Sequence, residues 1–209
     1  MMITPPDTLA VHDLSGFGHT SLMVVIPILT RMGVEITALP TSLLSTNTEF
    51  PQYVMQDNTL LMEAILKHWK SLSLRFDAVY TGFLGSTDQV ELLIKNIPVL
   101  KTPNSIVLVD PVLADWGKLY GCYDLRMVEA MRKLVCEADI ITPNLTEAAF
   151  LWATSIRKRM KRWIFYPGAG NWQPWVRIMW LSPVLRALEP KMSFGCQTLW
   201  YAMTRARIA

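Results

Sequence analysis

The sequence predicts an α/β fold in which a mostly parallel sheet is covered by helices on both faces. Two observations carry this. Between residues 9 and 151, short apolar runs alternate with helix-length segments of amphipathic spacing. The apolar runs are nearly continuous, as in Ile106-Val107-Leu108-Val109, which is the pattern of strands buried on both faces. The 209 residues are 51% hydrophobic and 18% charged, with a mean hydropathy of +0.25. That composition excludes a disordered chain and suffices for a sizeable core.

The elements follow in order. Residues 9–11 form a first strand that runs into a polar, glycine-rich loop over 12–20. Residues 21–32 read as a helix closed by Gly33. Residues 34–39 are the next strand, ended by Pro40 and followed by a polar loop to residue 58. Leu60, Leu61, Ala64, Ile65 and Trp69 share one face of a helix over 59–72. A strand over 78–84, a helix over 87–95 and a strand over 105–112 come next. A helix over 123–138, a strand over 139–142 and a helix beginning at Asn144 complete the pattern.

Parallel sheets bind ligands beyond the carboxyl ends of their strands, and the informative residues lie there. Five successive strands deliver His12–Gly18, Ser45–Glu49, Thr81–Gly85, Asp110–Asp115 and Thr142–Glu147 to one edge. Asp110 and Asp115 flank a proline turn and can hold a divalent cation, directly or through water, beside a phosphate chain. Asn144 and Glu147 read equally well as a helix-capping pair or as a metal–water site. Asp13, Ser15 and Thr48 can hydrogen-bond a small polar substrate, and each is also an ordinary turn residue. Gly16 and Gly18 permit close backbone approach. His12, His19 and His68 have no metal-ligand spacing.

The segments VHDLSGFGHTSL, ALPTSLLSTNTEFPQY, FDAVYTGFLGS, VDPVLADWGKLY and ADIITPNLTEA, in this order, resemble the bacterial pyridoxal kinases of the ribokinase-like superfamily. The resemblance runs from about residue 9 to 151. It implies a three-layer ribokinase-like fold and transfer of the ATP γ-phosphate to the 5′-hydroxymethyl of pyridoxal, pyridoxine or pyridoxamine. It also implies that Asp13 or Ser15, together with Thr48, lies against the pyridine ring, with Phe83 as a flanking aromatic. Asp110, Asp115, Thr142, Asn144 and Glu147 are implied on the ATP and phosphate side, with Asp110, Asp115 and Glu147 toward Mg2+, directly or through water. K+ is a further cation the resemblance suggests, and a homodimer the usual assembly. Hydroxymethylpyrimidine kinase, of the same superfamily, is the nearest enzymatic alternative; a non-catalytic remnant is the alternative from another class.

The family's Gly-x-Gly-Asp segment, which supplies its catalytic aspartate, does not occur. Gly168-Ala169-Gly170-Asn171 is the nearest string and lacks the carboxylate. No catalytic residue is therefore assigned. The composition also changes after Leu151: residues 1–151 carry a net charge of −6, residues 152–209 a net +9 with six of the eight tryptophans. Because Trp and Met have single codons, this tail can be partly back-translated and read one base earlier. Met160-Lys161 then forces a glutamate, Trp163-Ile164 an aspartate, Trp172-Gln173 an alanine, Trp175-Val176 a glycine and Met179-Trp180 a valine. The shifted reading is an amphipathic helix ended by glycine and then an apolar strand, the α/β unit that the fold requires next. Residues 152–209 are therefore expected to be an out-of-frame translation, and the 209 residues to hold roughly the first half of an enzyme. The rival is a genuine basic, aromatic tail that binds nucleic acid or anionic lipid; on the frameshift reading neither nucleic acid nor membrane is a partner.

Three widely spaced cysteines, Cys122, Cys136 and Cys196, suggest reduced thiols rather than a disulfide framework or zinc site. The first residues have no signal-peptide pattern and no stretch has the length of a membrane span, so a cytoplasmic location is expected.

Overall fold

The structure, a computed structural model, describes residues 5–151 and two short strands at 163–166 and 177–180. The elements are β1 (Asp7–Phe17), α1 (Leu22–Arg31), β2 (Glu35–Thr46), β3 (Met55–Asp57), α2 (Thr59–Ser71), β4 (Phe76–Thr81), α3 (Thr87–Leu100) and β5 (Lys101–Val109). They continue with β6 (Ala114–Asp115), β7 (Lys118–Leu119), α4 (Leu125–Leu134), β8 (Ile140–Ile141), α5 (Leu145–Leu151), β9 (Trp163–Tyr166) and β10 (Arg177–Trp180). Six strands form one sheet in the order β3-β2-β1-β4-β5-β8, parallel except for the antiparallel β3. The α/β fold with helices on both faces is therefore as expected.

Side-chain alternation divides the core in two. Leu9, Val11, Val79, Val107 and Val109 face Met62 and Leu66 of α2, Val90, Leu93 and Ile97 of α3, and Met127 and Met131 of α4. Ala10, Ala78, Ile106 and Leu108 face the other way, where Leu22, Val25 and Leu29 of α1 cover them. The small Ala10 and Ala78 let α1 pack close to the sheet centre. Gly33, at φ +82°, closes α1 as the sequence predicts.

Several boundaries move. β1 continues six residues past Val11, because beyond that point it remains paired with β2 through a bulge between His12 and Leu14. β2 continues through Pro40 to Thr46 rather than stopping there. Proline is tolerated because β3 pairs with β2 only at Ser42, Leu43 and Leu44, leaving Pro40 on the open edge. β4 ends at Thr81, three residues early, since Gly82 and Phe83 turn out of the sheet. α3 runs five residues past Lys95 and carries Pro98 in its last turn. The β6–β7 hairpin, missed in the sequence, turns through Trp116 and Gly117 at φ 51° and 79°, as a two-residue type I′ turn requires. The Gly168–Asn171 string and most of the basic tail lie outside the described residues, which include only strands β9 and β10 there.

One contact at the sheet centre is tight. The imidazole of His12 is buried edge-on against Tyr80, with ring centroids 4.4 Å apart. A Cβ on Gly82 would lie 2.2 Å from His12 Nδ1, so only glycine fits opposite this ring. Burial holds the imidazole neutral, its pKa pushed down from 6.5 to about 3. The unfolded chain takes up a proton below pH 6.5 that the folded chain refuses until about 3, so stability is full above 6.5 and declines on acidification between these values. His12→Leu should remove a slope of about 1.4 kcal/mol per pH unit from urea-unfolding stabilities in that window. Gly82→Ala should destabilise by about 1–3 kcal/mol, with partial recovery when His12→Ala is added in the same chain.

Candidate functional site

The strand order reverses between β1 and β4. The two strands pair from Thr8–Ala78 to Val11–Thr81, and the last shared bond is from Gly82 N–H to the Val11 carbonyl, 2.9 Å. Beyond it β1 leaves with β2 while the chain after Thr81 turns away, opening a crevice at the switch point. The β1 bulge lies between His12 and Leu14, so Asp13 sits where β1 leaves β4, and Phe83 lies two residues past the end of β4 on the segment that turns away.

Asp13 is buried, and its carboxylate accepts hydrogen bonds from Ser15 Oγ at 3.2 Å and from Ser21 Oγ. Burial raises its pKa; the two hydroxyls oppose that shift. Ser15 is wholly buried and donates to Asp13, so of the two alternatives the hydroxyl serves the carboxylate. Ser21 is the N-cap of α1 at φ 51°, a strained conformation for serine, and its side chain is turned to Asp13 instead of capping the helix. Phe83 is half-buried and stacks on Tyr123, ring centroids 5.8 Å apart and 30° between planes. The Tyr123 hydroxyl donates to the Leu84 carbonyl at 2.7 Å, and its pKa is raised by burial and by the charges of Cys122 and Asp13. Thr48 is exposed on the turn after β2, and its hydroxyl takes no part in the Asp13–Ser15–Ser21 cluster.

The second group gathers at the ends of β5 and β8. Asp110 begins a tight turn, its N–H bonded to the Thr81 carbonyl and its own carbonyl accepting from Val112 N–H, both at 2.9 Å. Asn144 and Glu147 form a reciprocal capping box at the start of α5: Glu147 N–H donates to Asn144 Oδ1 at 2.9 Å, and Asn144 N–H to Glu147 Oε2 at 2.8 Å. Glu147 Oε1 also accepts from Leu113 N–H at 3.1 Å, and Asn144 Nδ2 donates to the Ala114 carbonyl at 2.7 Å. The pair is therefore a cap that also ties α5 to the loop after β5. Asp115 Oδ1 accepts from Trp116 N–H at 2.8 Å within its own hairpin. Gly117 N–H reaches Thr146 Oγ1 at 3.0 Å, and Thr142 N–H bonds the Val109 carbonyl at 3.2 Å.

Burial and the charge of Asp110 raise the Glu147 pKa to about 8, against the pull of its bonds from Asn144 and Leu113. Tyr120 is raised to about 12 by burial and then by the charges of Glu147, Asp115 and Asp110. Among the described residues no group of three His, Cys, Asp or Glu side chains is arranged to hold a metal ion directly. Glu147 spends its oxygens on backbone donors. Ser21, Tyr120 and Tyr123 escaped the sequence reading because Ser21 and Tyr123 stood at the starts of helical patterns and Tyr120 in a loop.

A family model for phosphomethylpyrimidine kinase matches residues 26–163. The chain belongs to this family. The match begins within α1 and ends twelve residues after Leu151. A crystal structure with pyridoxal of a protein named a phosphomethylpyrimidine kinase candidate, from Bacteroides thetaiotaomicron, is 42% identical, with TM-score 0.70 over 75% of this chain and 58% of that one. Pyridoxal kinase from Lactobacillus plantarum is 28% identical, with TM-score 0.73 over 97% of this chain and 81% of that one. Pyridoxal kinase of Dictyostelium discoideum is 29% identical over 73% of this chain and 52% of its own length. The chain thus spans about half the length of the curated relatives it matches. No helix among the described residues is long and apolar enough to cross a membrane.

The Glu147 shift has a definite sign. A carboxyl whose folded pKa lies above its unfolded 4.5 favours folding most at low pH and loses that contribution as pH rises from 4.5 to about 8. Urea midpoints at pH 5, 7 and 8.5 should fall along that series in the native chain and should fall less in Glu147→Gln.

Proposed function

We propose that this chain derives from a pyridoxal kinase and carries its vitamin pocket and part of its phosphate side. The reaction transfers the γ-phosphoryl group of ATP to the 5′-hydroxymethyl oxygen of pyridoxal, pyridoxine or pyridoxamine: the new O–P bond forms as the bond from the γ-phosphorus to the β–γ bridging oxygen breaks, giving the 5′-phosphate, ADP and the released hydroxyl proton. The observation that carries this reading is the parting of β1 and β4, where buried Asp13, held by Ser15 and Ser21, follows one strand and Phe83, stacked on Tyr123, follows the other. A polar ring with several substituents needs such a combination of aromatic wall and buried carboxylate. The pyridoxal bound in the 42% identical structure supports it.

In this reading Asp13, held by Ser15 and Ser21, orients the ring, Phe83 and Tyr123 flank it, and Thr48 closes over it from the turn after β2. Asp110, Asp115, Thr142, Asn144 and Glu147 lie on the ATP side. A Mg2+ ion typically binds through one or two protein carboxylates and the phosphate oxygens themselves, and Asp110, Asp115 and Glu147 are the carboxylates this reading offers it, directly or through water. Glu147 and Asp110 form a repelling acidic pair, and a cation there would relieve it. Bound Mg2+ would neutralise charge on the transferring group, and K+ is a second cation of the reading. The polypeptide has no Gly-x-Gly-Asp segment and therefore no assigned general base. The reading further holds that residues 152–209 are translated out of frame, that the ancestral enzyme is cytoplasmic, and that it is a homodimer. The family match ending at residue 163 supports a change of character close to Leu151.

The family description favours a second reading, a hydroxymethylpyrimidine substrate at the same crevice. Equilibrium dialysis against pyridoxal and hydroxymethylpyrimidine separates the two: preferential retention of pyridoxal is expected, and preference for the pyrimidine would overturn the first reading. Phe83→Ala should weaken pyridoxal binding about tenfold by removing one wall of the pocket. Purified chain of the correct mass should show no pyridoxal-dependent ATP turnover. Sequencing the gene across the codons for residues 150–153 should reveal a one-base change of frame, and a confirmed, uninterrupted frame encoding residues 152–209 as they stand would sink that part.

A further inference from the structure

The side chain of Gln89, in the first turn of α3, is wholly buried and bonded to four separate pieces of the fold. Its Oε1 accepts from Gly85 N–H at 2.8 Å, in the loop that carries Phe83. Its Nε2 lies 2.9 Å from the Thr41 carbonyl of β2, 3.0 Å from Asp57 Oδ2 of β3 and 3.1 Å from Thr59 Oγ1 at the start of α2. Thr41 completes the circuit by donating its hydroxyl to the Phe83 carbonyl at 2.8 Å. Gly85 is packed against the same cluster: a Cβ there would come within 3.1 Å of both Asp57 Oδ2 and Ser42 Oγ.

The placement matters because β2 and β3 are joined by the turn that bears Thr48, while Gly85 is two residues from Phe83. One buried amide therefore joins the Phe83 loop to the base of the β2–β3 ribbon, whose far end bears the Thr48 turn. An amide is the side chain that suits this position, since it must accept from one N–H and donate to carbonyl and carboxylate oxygens. A core that needed only volume would use leucine or methionine here, with no buried polar atoms to satisfy.

We propose that Gln89 is a positioning residue for the substrate pocket: it fixes the Phe83 loop against β2 and β3 and so sets how the pocket's aromatic wall and its Thr48 turn face each other. The proposal rests on the pyridoxal reading for the identity of the ligand, but not for the coupling itself.

The test uses the full chain with pyridoxal and ADP as probes. Gln89→Met, which keeps the volume and removes the bonds, should weaken pyridoxal binding about tenfold while leaving ADP binding within about twofold, because the nucleotide side lies on the other loops. Asn96→Leu, elsewhere in α3 where a buried side chain bonds only the Leu92 carbonyl, is the control for helix destabilisation and should leave both affinities unchanged. Gln89→Glu should be worse than Gln89→Met, since it sets a carboxylate against Asp57, and adding Asp57→Asn should recover most of the loss. Pyridoxal binding unchanged in Gln89→Met, loss of both ligands together, or equal loss in Asn96→Leu would each overturn the proposal. A native chain that binds neither probe counts against the vitamin reading instead, and amide hydrogen exchange then decides the coupling. Faster exchange in Gln89→Met at both 47–57 and 83–86 supports it; faster exchange confined to α3 overturns it.

Discussion

Up to Val11 and Thr81 the two central strands share hydrogen bonds, and after the bond from Gly82 N–H to the Val11 carbonyl they share none. Almost everything of functional interest depends on how that parting is held. On one side β1 stays on β2 through the bulge after His12, and the Asp13 carboxylate there is held by Ser15 and Ser21. On the other, glycine at 82 lets the chain leave β4 across the face of a buried imidazole that no side chain could pass. The crevice is thus made by backbone commitments deep in the sheet, and the loops inherit their positions from it. Pairing energy spent on β2 by the last six residues of β1 is what keeps the gap from closing.

The two sides of the site are built on different physics. The β1/β4 side is a buried carboxylate satisfied by hydroxyls and walled by aromatic rings, a neutral-to-weakly charged environment with defined shape. The β5/β8 side is acidic: the charge of Asp110 raises the Glu147 pKa, and Glu147, Asp115 and Asp110 together raise that of Tyr120. Backbone donors compensate Glu147 only in part, so its proton is held unusually tightly. A ligand that brings positive charge gains most on the second side and least on the first. That division suits a reaction between an uncharged hydroxyl and a metal-bound phosphate chain.

Local signals made much of this legible. Continuous apolar strands, Gly33 at a helix end and the order of strand and helix all follow from short-range rules, and the structure obeys them. The misses share a cause, which is dependence on a distant partner. Pro40 looks like a strand terminator until the open edge of β2 is known. Residues 12–17 look like a loop because their strand character comes only from pairing with β2 across twenty-seven or more positions, as in His12 with Pro40 and Phe17 with Thr46. The Asn144–Glu147 pair was ambiguous between cap and metal site, and the bond to Leu113 N–H, thirty-four residues away, makes the capping role evident. Gln89 and Tyr123 offered no local signal, since their roles arise from contacts with Asp57 and Phe83.

The strand order has a consequence for how the chain comes off the ribosome. β2 and β4 each pair with β1, β5 pairs with β4, and β8 pairs with β5, so every strand of the sheet after the first finds a partner that has already been made. β3 likewise adds to the finished β2. No strand of this sheet must wait, unpaired and apolar, for a segment synthesised later. A nascent chain can therefore zip its sheet outward from β1 as translation proceeds, sparing itself the exposed edges that invite aggregation.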